Sequence, residues 1–187
     1  MSVSNLKRVN LELGGKNPVI VMDDANLMKA AMTCHGAGFI NSGQFCGQPS
    51  RLFVHEKVYD EFVGIIVDAT KNTKMGYWRE EDVRFGPQVD EEHLNKILSY
   101  VSAGVDEGAT LVCGGKRIQR DGFFMEPAIF TNVHKNMKIA REEIFGPVLC
   151  IQKIGSLEEG IELANDTSYG LSSGIFSESM KNCHKFV

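Results

Sequence analysis

The stretch Ala25–His55, ANLMKAAMTCHGAGFINSGQFCGQPSRLFVH, holds the change of period that decides the fold. Leu27, Met28, Ala31, Met32, His35 and Phe39 recur at the spacing of one helix face, which predicts a helix over Ala25–Ile40. Arg51–His55 then reads as a short strand. Between them, Asn41-Ser42-Gly43-Gln44-Phe45-Cys46 is a tight polar loop ending in a thiol, and Gly47-Gln48-Pro49-Ser50 leads on into the strand. A cysteine at such a helix-to-strand corner can face a cleft with its sulfur reachable, as a nucleophilic thiol must. The plainer reading of a free cysteine, a small buried hydrophobe, stands beside it. Cys34 and His35 fall on the helix and read as core residues.

Outward from this corner the same alternation continues. Val9, Leu11 and Leu13 alternate with Asn10 and Glu12, which predicts a half-buried strand with Glu12 on its polar face. Pro18–Met22 is a second apolar run, after which Asp23-Asp24 offer a helix cap. Val58, Phe62, Ile65, Ile66 and Ala69 predict a helix from Val58 to Asn72, and the Gly- and Pro-containing stretch Met75–Val89 reads as loop. Asp90 caps a helix carrying Leu94, Ile97, Leu98 and Val101, and Thr110–Cys113 is a strand closed by Gly114-Gly115. Lys116–Gly122 is a surface loop, Pro127–Val133 a strand and Met137–Glu143 a short helix or turn. Val148–Ile151 is a continuous apolar run, the mark of a central parallel strand. Ser156 and Glu159 form a capping box, Leu171–Ser177 is a last strand, and Ser179 opens a last helix. Strands alternating with helices predict an α/β fold: a mostly parallel open sheet with helices on both faces.

Composition narrows the function. At 187 residues and 43% hydrophobic, the chain is large enough for one domain with a real core. A net charge of −4 with interspersed signs argues against nucleic acid or a polybasic membrane contact. Five cysteines, an odd number with no C-x-x-C pair and no zinc-like histidine spacing, predict neither a disulfide framework nor a metal site. They point to a reducing, cytoplasmic compartment, or to the mitochondrial matrix if an upstream targeting segment was removed. Met1–Asn5 does not read as a signal peptide. Gly36-Ala37-Gly38 lies inside a helical pattern and lacks the third glycine of a dinucleotide loop.

Two further stretches give Cys46 its context. They are Leu11-Glu12-Leu13-Gly14-Gly15-Lys16-Asn17-Pro18 and Glu142-Glu143-Ile144-Phe145-Gly146-Pro147-Val148. With the Cys46 loop, in this order and at these separations, they resemble the catalytic domain of the NAD(P)-dependent aldehyde dehydrogenases, from about Ser4 to the last residue. The branch most resembled is that of the cytosolic and mitochondrial broad-specificity and retinal enzymes. The resemblance implies Cys46 as nucleophile, with its own backbone N–H as one oxyanion donor, and Glu12 as general base. It implies that Glu143 holds the nicotinamide ribose hydroxyls and that Phe145 flanks the nicotinamide. His93 stands where many relatives have a glutamine near the cofactor, and Lys96, one turn on, keeps the basic character there. The implied cofactor is NAD or NADP, the substrate an aldehyde, and the full-length parent a homo-oligomer. Residues 1–187 are then one catalytic domain truncated at both ends, without the cofactor-binding and oligomerisation segments. Such a piece is expected to be inactive alone, and to self-associate through the apolar face where the cofactor domain would dock. Gly47, where this branch often carries a further cysteine, makes the loop more permissive.

Two other readings remain at this level. Cys46 and Glu12 could suffice for a cofactor-free thiol esterase, since acyl transfer needs no hydride acceptor. Alternatively the chain is a non-catalytic, crystallin-like relative.

Overall fold

A computed structural model of the chain describes residues 6–187; Met1–Asn5, and with them the reading of the first residues, lie outside the described residues. The core is a six-stranded sheet: β1 Pro18–Val21, β2 Arg51–His55, β3 Thr110–Cys113, β4 Ala128–Thr131, β5 Val148–Ile154 and β6 Gly174–Phe176, in the order β3-β4-β5-β2-β1-β6. Every pairing is parallel except β3 with β4. β5, flanked on both sides by parallel neighbours, is buried along all but Lys153, as its apolar run predicts.

Six helices cover the sheet: α1 Leu27–Phe39, α2 Tyr59–Lys71, α3 Glu91–Asp106, α4 Lys138–Arg141, α5 Leu157–Asn165 and α6 Met180–Phe186. The period of two along each strand sorts their partners. Val19, Val21, Leu52, Val54, Leu149 and Ile151 face Ala30, Ala31, Cys34 and Phe39 of α1 and Phe62 and Ile66 of α2. The alternate residues face the other way. Phe130, Val148 and Cys150 meet α3 and α4, and Ile20, Phe53 and Ile154 meet α5. Helices thus lie on both faces, as expected.

Several local expectations are corrected. Residues 6–17 form no strand, and Val9, Leu11 and Leu13 stand 47%, 66% and 52% exposed. Alternation marks a segment fit for a ladder, but a strand exists only when another pairs with it, and none of the described strands does. Glu12 is therefore an exposed residue of a segment without regular secondary structure, not one face of a strand. The cap of α1 is Asn26, whose Oδ1 accepts from Lys29 N, not Asp23 or Asp24. Asp23 instead pairs with Lys57, and Asp24 accepts from Ser177 and Ser179. The buried face of α1 is Ala30, Ala31, Cys34, His35, Gly38 and Phe39, so Met28 and Met32 of the expected stripe are exposed. The final strand is three residues long, shorter than Leu171–Ser177. The Ser156 capping box is half made: Ser156 Oγ accepts from Glu159 N, while the Glu159 carboxylate reaches Gly155 N.

Candidate active site at the amino edge of the sheet

Four loops that run into β1, β2, β5 and β6 meet at the amino ends of these parallel strands. They are residues 14–17, 41–50, 143–147 and 171–173.

The thiol loop begins with a bend. Asn41, Ser42 and Gly43 all take left-handed φ values of 50°, 57° and 75°. Two of them are not glycine, so the turn carries strain that its surroundings must hold in place. Those surroundings are visible. Ser42 Oγ donates to Gly86 O at 2.7 Å, and Gln88 Nε2 donates to Ser42 O at 3.2 Å. Gly43 lies directly against the backbone of Gly146 and Pro147, where a Cβ would have no room. Gln44 is tied to the loop before α3, accepting from Val89 N at 2.9 Å.

A tight turn follows: Gln48 N donates to Phe45 O at 3.0 Å, with Cys46 and Gly47 at its tip. Cys46 is half-buried, and among the described residues its N–H meets no protein acceptor. The other thiols differ. Cys34, Cys113 and Cys150 are buried, and burial pushes the Cys34 thiol up to about 12 and raises the other two. Cys183 is half-buried on α6.

Two buried side-chain amides fasten the loops together. Asn17 Nδ2 donates to both Cys46 O and Gln48 O, at 2.8 Å each, while its Oδ1 accepts from Ser172 N at 3.0 Å. Gln48 Nε2 donates to Gly38 O at 2.7 Å and Gly146 O at 2.9 Å, joining the end of α1 to the 143–147 loop. The sequence reading assigned neither residue a role. The one signal was a carboxamide beside a proline at each end of the cradle, Asn17-Pro18 and Gln48-Pro49.

Glu143 sits against the first loop. Its Oε1 accepts from Gly15 N at 3.0 Å, its side chain packs on Gly14, and Tyr169 OH lies 3.4 Å from its backbone N–H. Oε2 has no protein donor among the described residues and remains able to accept. Phe145 adopts φ 58° and is 36% exposed, and its carbonyl takes the His93 Nε2–H at 2.7 Å. His93 is thus a neighbour of Phe145, held by the Asp90 cap that starts α3.

The structure therefore brings together Cys46, Glu143, Phe145 and His93. No hydrogen bond or ion pair among the described residues ties the Glu12 carboxylate or the Lys96 ammonium to them. Glu12 is exposed and makes no hydrogen bond or ion pair among the described residues, and Lys96 is an exposed residue of α3 whose ammonium makes none either. Beneath the cradle, Lys16 is fully buried with no hydrogen-bond partner for its Nζ among the described residues, and burial lowers it to about 8. Arg51 of β2 pins the same segment, donating to Lys16 O and to the α5 carbonyls of Leu163 and Ala164. Beside it, residues 16–18 and 164–173 line a cavity of about 300 Å³. Among the described residues, no three His, Cys, Asp or Glu side chains gather as a metal site, and no helix is long and apolar enough to cross a membrane.

Comparison with known proteins gives the arrangement a context. The sequence model of the aldehyde dehydrogenase family matches residues 1–187. Cytosolic aldehyde dehydrogenase 1 of Mus musculus is 48% identical over 177 residues, which is 95% of this chain and 35% of that protein. Mitochondrial 10-formyltetrahydrofolate dehydrogenase of Mus musculus is 47% identical over 181 residues, 96% of this chain and 20% of its own length. Among solved structures, an NAD-dependent aldehyde dehydrogenase from Sinorhizobium meliloti superposes with a TM-score of 0.94 at 39% identity, over 99% of this chain and 37% of that one. Betaine aldehyde dehydrogenase from Staphylococcus aureus, solved in complex with NAD+, gives 0.92 at 38% identity, over 99% and 37%. The chain thus spans little more than a third of these relatives at most.

Proposed function

The chain belongs to the aldehyde dehydrogenase family, and on that premise we propose that it is the catalytic segment of an enzyme oxidising an aldehyde to a carboxylic acid with NAD or NADP. The observation that carries the proposal is the state of Cys46. It is a half-buried thiol on a braced turn, its N–H unclaimed among the described residues, beside a loop that presents a carboxylate and an aromatic ring. We place residues 1–187 in one catalytic domain.

The residues supply the steps as follows. The Cys46 thiolate adds to the aldehyde carbon, forming a C–S bond and sending the carbonyl pair onto oxygen, where the Cys46 N–H can receive it. Nicotinamide, when bound, would accept the hydride from that carbon, leaving a thioester on Cys46. Water then cleaves the thioester, releasing the acid and restoring the thiol, with Glu12 in the role of base. Glu143 Oε2 and the exposed Phe145 ring fit the nicotinamide end of the cofactor: an acceptor for ribose hydroxyls and a flat apolar face. His93 acts through Phe145, holding its carbonyl, and Lys96 is an outlying basic group. The whole enzyme is proposed to work as a homo-oligomer. By itself this chain is expected not to turn over aldehydes, because its grip on the cofactor is confined to the nicotinamide end and positioning is worth roughly 7–11 kcal/mol of barrier.

The test is a panel on this chain and on a longer protein containing it: aldehydes with NAD or NADP, and an activated ester. We expect ester acylation of Cys46 in both and reduction of the cofactor in the longer protein alone, each abolished by Cys46→Ala. Undiminished cofactor reduction after Cys46→Ala would reject the assignment.

A further inference from the structure

We propose that Asn17 is the positioning residue for the oxyanion donor of Cys46; the inference rests on reading Cys46 as an acyl-accepting nucleophile. A trans peptide is planar, so the Phe45 carbonyl and the Cys46 N–H point in opposite directions from one rigid unit. The Gln48 N–H holds that carbonyl at 3.0 Å, and so aims the Cys46 N–H the other way. The turn that does this leaves three carbonyls of its own: a single amide group, Asn17 Nδ2, takes Cys46 O and Gln48 O at 2.8 Å each, and Ser172 Oγ reaches Gly47 O at 3.5 Å. Asn17 brackets the turn from the far side and sets its orientation.

Asn17 is itself fixed. It is 2% exposed. Its carbonyl accepts from Arg51 N at 3.2 Å, its Oδ1 from Ser172 N at 3.0 Å, and the preceding Lys16 carbonyl from Arg51 Nε at 2.8 Å. Its backbone carbonyl and its Oδ1 are held by β2 and the 171–173 loop, and its Nδ2 is left to the thiol turn. Gly15 permits the approach, since a Cβ there would stand 2.5 Å from Cys46 O. The Gln48 side chain is buried too, but its Nε2 donates to Gly38 O and Gly146 O, not to the turn carbonyls.

Two reactions of one thiol separate positioning from mere support. In acylation by p-nitrophenyl acetate, sulfur bonds to the carbonyl carbon, the electron pair moves to oxygen, and collapse expels nitrophenolate to leave acetyl-Cys46. That route needs the oxyanion donor. In alkylation by iodoacetamide, sulfur displaces iodide at a saturated carbon and no oxyanion forms. The experiment measures both rates on this chain, across the titration of the thiol, with mass mapping of Cys46. For Asn17→Ala we expect acylation about tenfold to a hundredfold slower, with alkylation and its pH profile unchanged within about twofold. Asn17→Ser, which keeps one donor, should fall between. Ile66→Val, a buried change on α2, should lower stability without altering the ratio of the two rates. Equal slowing of both reactions, slowing of neither, or loss of fold in both Asn17 variants would overturn the inference. Acetylation that bypasses Cys46, or persists unchanged in Cys46→Ala, would instead overturn the nucleophile reading.

Discussion

Residues 41–48 and residues 6–13 are the two regions that the proposed chemistry requires to meet, and this chain treats them in opposite ways. The first is strained, buried in part, and held by bonds to Asn17, Gly86, Gln88, Val89 and the 143–147 loop. The second has no regular secondary structure and is open, with Leu6, Val9, Leu11 and Leu13 exposed and Glu12 unpaired among the described residues. The difference teaches that the proposed nucleophile and its cradle are held by contacts within the chain, whereas the proposed base makes no hydrogen bond or ion pair among the described residues.

The sharpest way to break this contrast is to load each region with an unwanted side chain. Gly43→Val places a β-branched residue at φ 75° against the Gly146 backbone. Left-handed strain and overpacking together should cost roughly 2–6 kcal/mol. Leu11→Ser and Leu13→Ser should change the unfolding free energy read from urea titrations by no more than about 0.5 kcal/mol, as exposed changes do. Comparable losses from all three would show the amino-terminal segment to be as firmly packed as the thiol loop.

Thiol accessibility sharpens it next. At neutral pH Cys46 should alkylate at least about a hundredfold faster than Cys34, Cys113 or Cys150, whose reaction must wait for local opening. Mass-mapped labelling reads this, and a Cys150 that keeps pace would place the reactive thiol in the core. Glu12→Gln is the complementary probe. A fixed general base is worth about 10²–10⁴ in rate, but here Glu12→Gln should slow release of acetate from Cys46 by less than about tenfold, with acylation unchanged. The full factor would mean that residues 6–13 close over the thiol in solution.

The smallest effect concerns Lys16. Its folded pKa of about 8 lies below the ordinary 10.5 because burial disfavours the ammonium. Between these values the unfolded chain keeps a proton that the folded chain has lost, so stability rises with pH. Cys34, Cys113 and Cys150, all raised from 9.0 by burial, work in the opposite sense as the pH approaches and passes 9, so Lys16 is read from the difference between the unsubstituted chain and Lys16→Met. From pH 8 to 9 that difference in unfolding free energy should change by up to about 1 kcal/mol in denaturant titrations, in favour of the unsubstituted chain. A difference that stays flat over this unit would assign the titration elsewhere.

What the sequence disclosed follows the range of the forces involved. Arg51–His55 and Thr110–Cys113 were bounded to the residue, and Asp90 and Ser156 were found as caps, because period and capping are written within a few neighbours. The strand expected at Val9–Leu13 failed because alternation is local and ladder pairing is not. The family resemblance pointed to Cys46, Glu143, Phe145 and His93, and the structure sets them on loops that hydrogen bonds join. Asn17 and Gln48 were not, because their bonds span separations of 29, 98 and 155 residues, and no local pattern announces such a partner.

The bond from Ser172 N to Asn17 has a kinetic meaning. The cradle of the thiol turn is complete only when the chain has returned across those 155 residues and β6 has docked beside β1. Contacts so distant along the chain pay their loop-closure entropy before they repay it, and form late. A refolding chain should therefore regain helical signal first and Cys46 acylation last. The reactivity of one sulfur atom would then serve as a clock for the final closure of the sheet.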